Sequence, residues 1–435
     1  MSTPELDLVL RGGLVVSSFG AQKGDLGIRG DRIVGIGALA ESGLREIDCA
    51  GKVILPGFVD VHSNGAAGFD LTYGVYSVER GCFLRGSKRL REGLRRASEH
   101  YLTHGVTSVY LTTIAAPLKK LRESLRTLTG FVSDEPSSPI RGAFVEGTFI
   151  KSASQRGAQN PRYFYPLRWE IFEELQEAAG GMIRRVNVPP EHGEAAISFI
   201  RRLAASGVVP VAGHTAATGE QVRQAAGAGL RSAVHLLNGP TGSSSKPFRG
   251  GGAVEGFLRE ERLFVEMIVD GYHVDPAYVR DVLARKGIER FVAVTDSMFA
   301  TGLRGVQRFR MGGVEGRVAP GGGYLQVAER PEVLFGSLLT MDRAFANLVT
   351  WLTTPMPGVW HRQHEPLEER DALRWAVAAT SANPARLMGL EDTGDLLPGR
   401  RADVVVGRLS REGRDYDFTV DTVVAGGEIV YEREE

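Results

Sequence analysis

The sequence predicts an α/β chain: a TIM (β/α)8 barrel carrying a small β-sandwich built from the N- and C-terminal segments. Three observations predict it. Eight apolar, strand-like runs alternate with amphipathic helical stretches through the middle of the chain. Both ends are rich in short β-type runs, and several central runs stop on a histidine or a carboxylate.

Taken in order, residues 6–16 and 27–37 read as strands separated by a polar turn at 22–25. The barrel strands are expected at 57–62, 106–112, 142–146, 182–188, 208–214, 232–236, 263–269 and 291–296. Helical patterns at 118–132, 195–205, 220–226 and 276–286 fall between them, which is the alternation that a closed parallel sheet requires. The basic stretch 73–95 has no clear partner strand and reads as a long loop or an extra helix near the barrel top. Strand-like runs return at 402–406, 419–424 and 428–431, with Gly426 and Gly427 as a turn. The expected division is therefore 1–55 and 396–435 for the sandwich and 56–395 for the barrel. It is reasonable because the two ends of a domain commonly lie close together.

Composition bounds the function. Lys+Arg and Asp+Glu each total 52, so the net charge is zero and nothing favours a nucleic-acid or membrane partner. No apolar run is long enough to span a bilayer, and the start MSTPELDLVL lacks the layout of a secretory signal. Two cysteines, Cys49 and Cys82, without a CxxC pattern point to reduced thiols and a cytoplasmic protein.

The chemistry sits where the runs stop. The first closes on His62, the third on Glu146, the fifth on His214, the sixth near His235 and the eighth on Asp296. Each alone reads as readily as a packed histidine or a helix-capping acid. In a parallel barrel, however, the C-terminal ends of all strands share one rim, so five residues far apart in sequence converge there. Imidazole and carboxylate are the ligand set of zinc or a similar divalent ion.

The stretch VILPGFVDVHSNG (53–65) resembles the opening barrel strand of the amidohydrolase superfamily. AGHTAA, VHLLNG, DGYHVDP and VTDSM, with FVEGTFI and LFGSLLTMDRA, are together similar to the N-acetylglucosamine-6-phosphate deacetylase family, and the likeness spans nearly the whole chain. The resemblance implies zinc ligation by Glu146, His214 and His235, with Asp296 as acid/base. It implies metal-assisted hydrolysis of the acetamido group of an amino sugar phosphate, N-acetylglucosamine 6-phosphate first among them. Asn238, Gly239 and His273 match substrate-binding positions, Gly239 through its backbone N–H, and a homodimer is implied.

Four departures from the pattern matter. The usual HxH is His62-Ser63-Asn64, and a neutral amide is a poor zinc ligand, which favours one ion over two. His62 stands either as a ligand of a weaker second ion or as a hydrogen-bonding histidine beneath the site. The fourth strand carries no lysine that could bridge two metals, which argues against a dihydroorotase-like or urease-like enzyme. Gln159 occupies the position of a family histidine that holds the substrate amide; it can donate but carries no charge. Lys246 takes the place of the family's phosphate-binding arginine, with Arg249 close by, and lacks its bidentate fork. Two alternatives stay open: the same chemistry on a non-phosphorylated N-acyl sugar or other N-acyl amine, and a non-catalytic scaffold.

Overall fold

A computed structural model describes residues 6–240 and 250–434. Its centre is an eight-stranded, all-parallel sheet of Phe58–Ser63, Val106–Thr113, Ile140–Val145, Ile183–Asn187, Val209–Ala212, Ser232–Ala233, Phe264–Ile268 and Phe291–Val294, paired in chain order. The first and last strands meet where Asp296 N–H donates to the His62 carbonyl at 2.8 Å and Asn64 N–H to the Ser297 carbonyl at 2.8 Å. Asp60 clamps the same seam, accepting from the His62 amide at 3.1 Å and from Thr295 Oγ1 at 2.5 Å. The sheet is thereby a barrel. Its strands are largely buried because helices cover the outside and side chains fill the inside.

The helices obey the pattern that predicts them. Leu118–Asp134 buries Leu121, Leu125, Leu128 and Phe131, one stripe of a 3.6-residue period. Gly219–Ala228 starts on a capping box in which Thr218 and Gln221 satisfy each other's backbone amides.

Both ends of the chain do share one sheet, of eight strands. The C-terminal strands Val404–Glu412, Asp415–Ala425 and Glu428–Glu432 join the N-terminal set through Val53–Pro56. The sheet encloses its own core, where Leu10, Leu26 and Ile54 meet Leu396, Val404 and Val424.

Three local expectations change. Residues 22–25 are not a turn but part of the strand Ala21–Arg29; the chain reverses earlier, where Ser17 N–H bonds the Gly20 carbonyl at 2.8 Å. That strand is polar because its first half is exposed, with Asp25 tied to Arg11 and to the Gly12 amide. Residues 73–95 hold a hairpin, Gly74–Ser77 with Cys82–Leu84, and then the start of the helix Ser87–Thr103. The third is an addition. Arg308–Met311, Val314–Val318, Leu325–Val327 and Arg330–Leu334 form an antiparallel sheet of their own after the last barrel strand. Among the described residues no helix is long and apolar enough to cross a membrane.

Candidate active site

Each candidate side chain projects from the rim because its strand stops there. Five non-glycine residues among those described adopt positive φ: Ala67, His214, His235, Leu237 and Asp296. Three of them carry site side chains, at φ 49°, 31° and 48° respectively for His214, His235 and Asp296. Such backbone costs about 1–3 kcal/mol per residue and persists only where the surroundings impose it.

Glu146 is the hub. Its Oε1 lies 2.9 Å from His235 Nε2, 3.3 Å from His214 Nε2 and 3.7 Å from His62 Nε2. The His214 ring is oriented from behind, its Nδ1 donating to the Gln155 carbonyl at 2.7 Å, which turns Nε2 toward Glu146. The Glu146 backbone is held too: its carbonyl accepts from Asn187 Nδ2 at 3.1 Å, and the same amide's oxygen takes the Gly213 N–H beside His214 at 2.8 Å.

The second carboxylate is Asp296. Its Oδ1 accepts from Asn64 Nδ2 at 2.6 Å and stands 3.2 Å from His62 Nε2. His62 is wholly buried, and neither ring nitrogen makes a well-directed hydrogen bond. Burial opposes charge on His62, but the carboxylates of Asp296 and Glu146 outweigh it and hold its pKa up at about 9. Burial likewise works against ionised Glu146, yet the charge of His62 and the hydrogen bonds of His214 and His235 keep its carboxyl well below the usual range. Among the described residues, imidazoles are the groups that stand directly against these two acids.

A divalent ion fits this set. Nitrogen and carboxylate oxygen suit first-row metals, and the ligand atoms of Glu146, His214 and His235 all lie within 4.8 Å of one another. Two bonds of about 2.1 Å in a tetrahedral shell put ligand atoms about 3.4 Å apart, close to the separations found around Glu146. His62, His235 and Asp296 make a second, overlapping group.

Glu146, His214, His235 and Asp296 line a cavity of about 310 Å³, with His62 buried behind them. Asn238 and His273 line it too. His273 Nδ1 bonds Asp270 Oδ2 at 2.7 Å, so its Nε2 is the free face, and Asn238 Nδ2 reaches the His273 carbonyl at 3.3 Å. Gly239 lies against the His235 ring, where a Cβ would fall 2.4 Å from Nδ1; its N–H, expected to meet substrate, donates to the His235 carbonyl at 3.0 Å. Gln159 turns to Glu146, Nε2 to Oε2 at 2.9 Å. Lys246 and Arg249 lie outside the described residues. Sequence reasoning passed over Gln155, Asp270 and the wall formed by Arg330 and Phe335. Asp270 had a visible signal, an acid three residues before a histidine; the others had none.

No protein-family model matches the chain. It is 31% identical over 356 residues to N-acetylgalactosamine-6-phosphate deacetylase of Escherichia coli, spanning 81% of this chain and 83% of that protein. The chain belongs to the N-acetylglucosamine-6-phosphate deacetylase family. Another family member, N-acetylglucosamine-6-phosphate deacetylase of Homo sapiens, is 28% identical over 439 residues, covering 98% and 94% of the two chains. The family enzyme of Mycobacterium smegmatis superposes with a TM-score of 0.80 at 29% identity, over 98% of this chain and 100% of that one. The amidohydrolase barrel of the family is therefore the fold of this chain.

Proposed function

We propose that this protein is a metal-dependent hydrolase that cleaves the acetamido C–N bond of an N-acetylated amino sugar phosphate, N-acetylglucosamine 6-phosphate first, giving acetate and the free amine. The observation that carries this reading is the convergence of Glu146, His214 and His235 beside Asp296 at one barrel rim, in a chain of this family. Glu146, His214 and His235 would hold one zinc ion. Bound there, it supplies Lewis acidity to the amide carbonyl and to water.

The protein's own groups do the rest. Asp296 accepts a proton from water as it adds to the amide carbon, and returns that proton to the nitrogen as the C–N bond breaks. Asn64 fixes the direction of Asp296 by donating to Oδ1, and buried His62 offsets the negative charge gathered around it. His273, anchored by Asp270, presents Nε2 to a sugar hydroxyl or phosphate. Lys246 and Arg249 are proposed to meet the phosphate, with Asn238 and Gly239 beside it. The same reading places the protein as a homodimer in a reducing cytoplasm, where Cys49 and exposed Cys82 stay free thiols.

Purified, zinc-loaded protein should release acetate from N-acetylglucosamine 6-phosphate. The galactosamine isomer and both unphosphorylated sugars complete the panel. A kcat/KM no higher for phosphorylated than for unphosphorylated sugar would refute the phosphate assignment, and no turnover of any of the four would refute the substrate class.

A further inference from the structure

Gln159 is buried, and both ends of its amide are engaged. Oε1 accepts from the Ala115 N–H at 2.7 Å, at the end of the second barrel strand. A backbone N–H can only donate, so the amide cannot flip, and its NH2 is committed to the other side. There Nε2 donates to Glu146 Oε2 at 2.9 Å. The opposite carboxylate oxygen, Oε1, is the one that faces His235 and His214. The next residue in the chain makes room for this arrangement. A Cβ on Gly147 would fall 1.8 Å from Gln159 Oε1 and 2.4 Å from the Ala115 nitrogen.

We infer that Gln159 is a positioning residue for Glu146: it occupies Oε2, presents Oε1 alone to the metal, and so sets the affinity and geometry of the metal centre without meeting substrate as its main task. A charge-assisted hydrogen bond to a buried carboxylate is among the stronger neutral-donor contacts, and partners of ligating carboxylates typically govern metal affinity by 10–100-fold. The histidine-to-glutamine departure at this position thus keeps a donor near the metal but directs it to the ligand. The inference rests on Glu146 being a metal ligand.

The test is metal binding to apo-protein, with Zn2+ and Co2+ in competition with a chromophoric chelator, for the unaltered protein and for Gln159→Leu, Gln159→His and Gly147→Ala. Gln159→Leu should bind both ions about 10–100-fold more weakly, Gly147→Ala should follow it by displacing the amide, and Gln159→His, which keeps an N–H donor, should recover part of the loss. The visible spectrum of the Co2+-loaded Gln159→Leu protein should also change, because Oε2 becomes free to ligate. Unchanged affinity and spectrum with a raised KM would overturn the inference and make Gln159 a substrate contact. If Gln159→Leu does not fold, Gly147→Ala against Gln159→His decides on the same readouts, equal affinities overturning it. Failure of the unaltered protein to bind either ion would instead refute Glu146 as a ligand.

Discussion

Replacing Arg185 with methionine should destabilise the barrel more than replacing Arg185 and Glu266 together. Both side chains are fully buried inside the barrel and paired through Nη2 and Oε1. Arg185 also donates to the Val61 carbonyl and lies over the Phe144 ring at 4.4 Å, while Ser232 donates to Glu266. A buried pair of this kind roughly offsets its own desolvation, so its net contribution is small. Removing one member strands the other, at about 3–5 kcal/mol. For a chain of 435 residues the unfolding entropy is on the order of 0.9 kcal/mol/K, at about 2.1 cal/mol/K per residue. Arg185→Met should then lower Tm by about 3–6 °C, and the double variant with Glu266→Met should regain most of it. Scanning calorimetry of the unaltered protein, Arg185→Met, Glu266→Met and the double variant at one pH reads this directly. A double variant as unstable as Arg185→Met would refute the reasoning, because it would mean that the loss was packing and not a stranded charge. The Phe144 ring meets His62 edge-on at 5.1 Å, so the single variant should also disturb the site above it.

Three further outcomes are expected. Asp296→Asn should keep its metal, by elemental analysis, and lose turnover by about 10²–10⁴-fold; loss of metal would make Asp296 mainly a ligand. Asn64→Leu removes the donor to Asp296 Oδ1 and should lower kcat on the order of tenfold at unchanged metal content, in steady-state kinetics. Asp70 has its pKa pushed up to about 7 by burial, against 3.8 ordinarily, and its Oδ2 has no partner. A carboxyl that holds its proton more tightly when folded stabilises most below 3.8 and loses that contribution as pH rises through about 7. Unaltered protein should therefore lose Tm between pH 5 and 8 relative to Asp70→Asn, whose amide oxygen still accepts from the Thr72 and Tyr73 amides.

Much of the barrel was legible because its strands are largely buried and read as mainly apolar, β-branched runs. The sheet spanning 308–334 was not. Its strands are only three to five residues long, and although RFRM alternates polar and apolar, VEGRV does not, so no sustained alternation marks the sheet. That sheet nonetheless supplies Arg330, Val333 and Leu334 to the cavity wall. The strand polarity at 22–25 misled for a related reason: a strand whose side chains are exposed looks like a turn until its partner Arg11 is known.

The site was legible in one respect and opaque in another, and the backbone explains both. A run that ends on His214, His235 or Asp296 marks the residue at which the chain leaves the sheet. In all three the backbone passes into the left-handed region there, turning the side chain over the rim. Residue type and position in the run therefore carry the signal for what converges. They carry none for what orients it, since the partners of those residues come from other segments: the Gln155 carbonyl behind His214, the Asn64 amide on Asp296 and the Gln159 amide on Glu146. Asn64 and Gln159 stand where the family pattern has histidines, and in composition they look like losses. In three dimensions each donates to one oxygen of a site carboxylate. Both neutral amides thus act on the protein's own acids, Asn64 on Asp296 and Gln159 on Glu146, so a residue type that cannot carry charge still holds a site carboxylate in place.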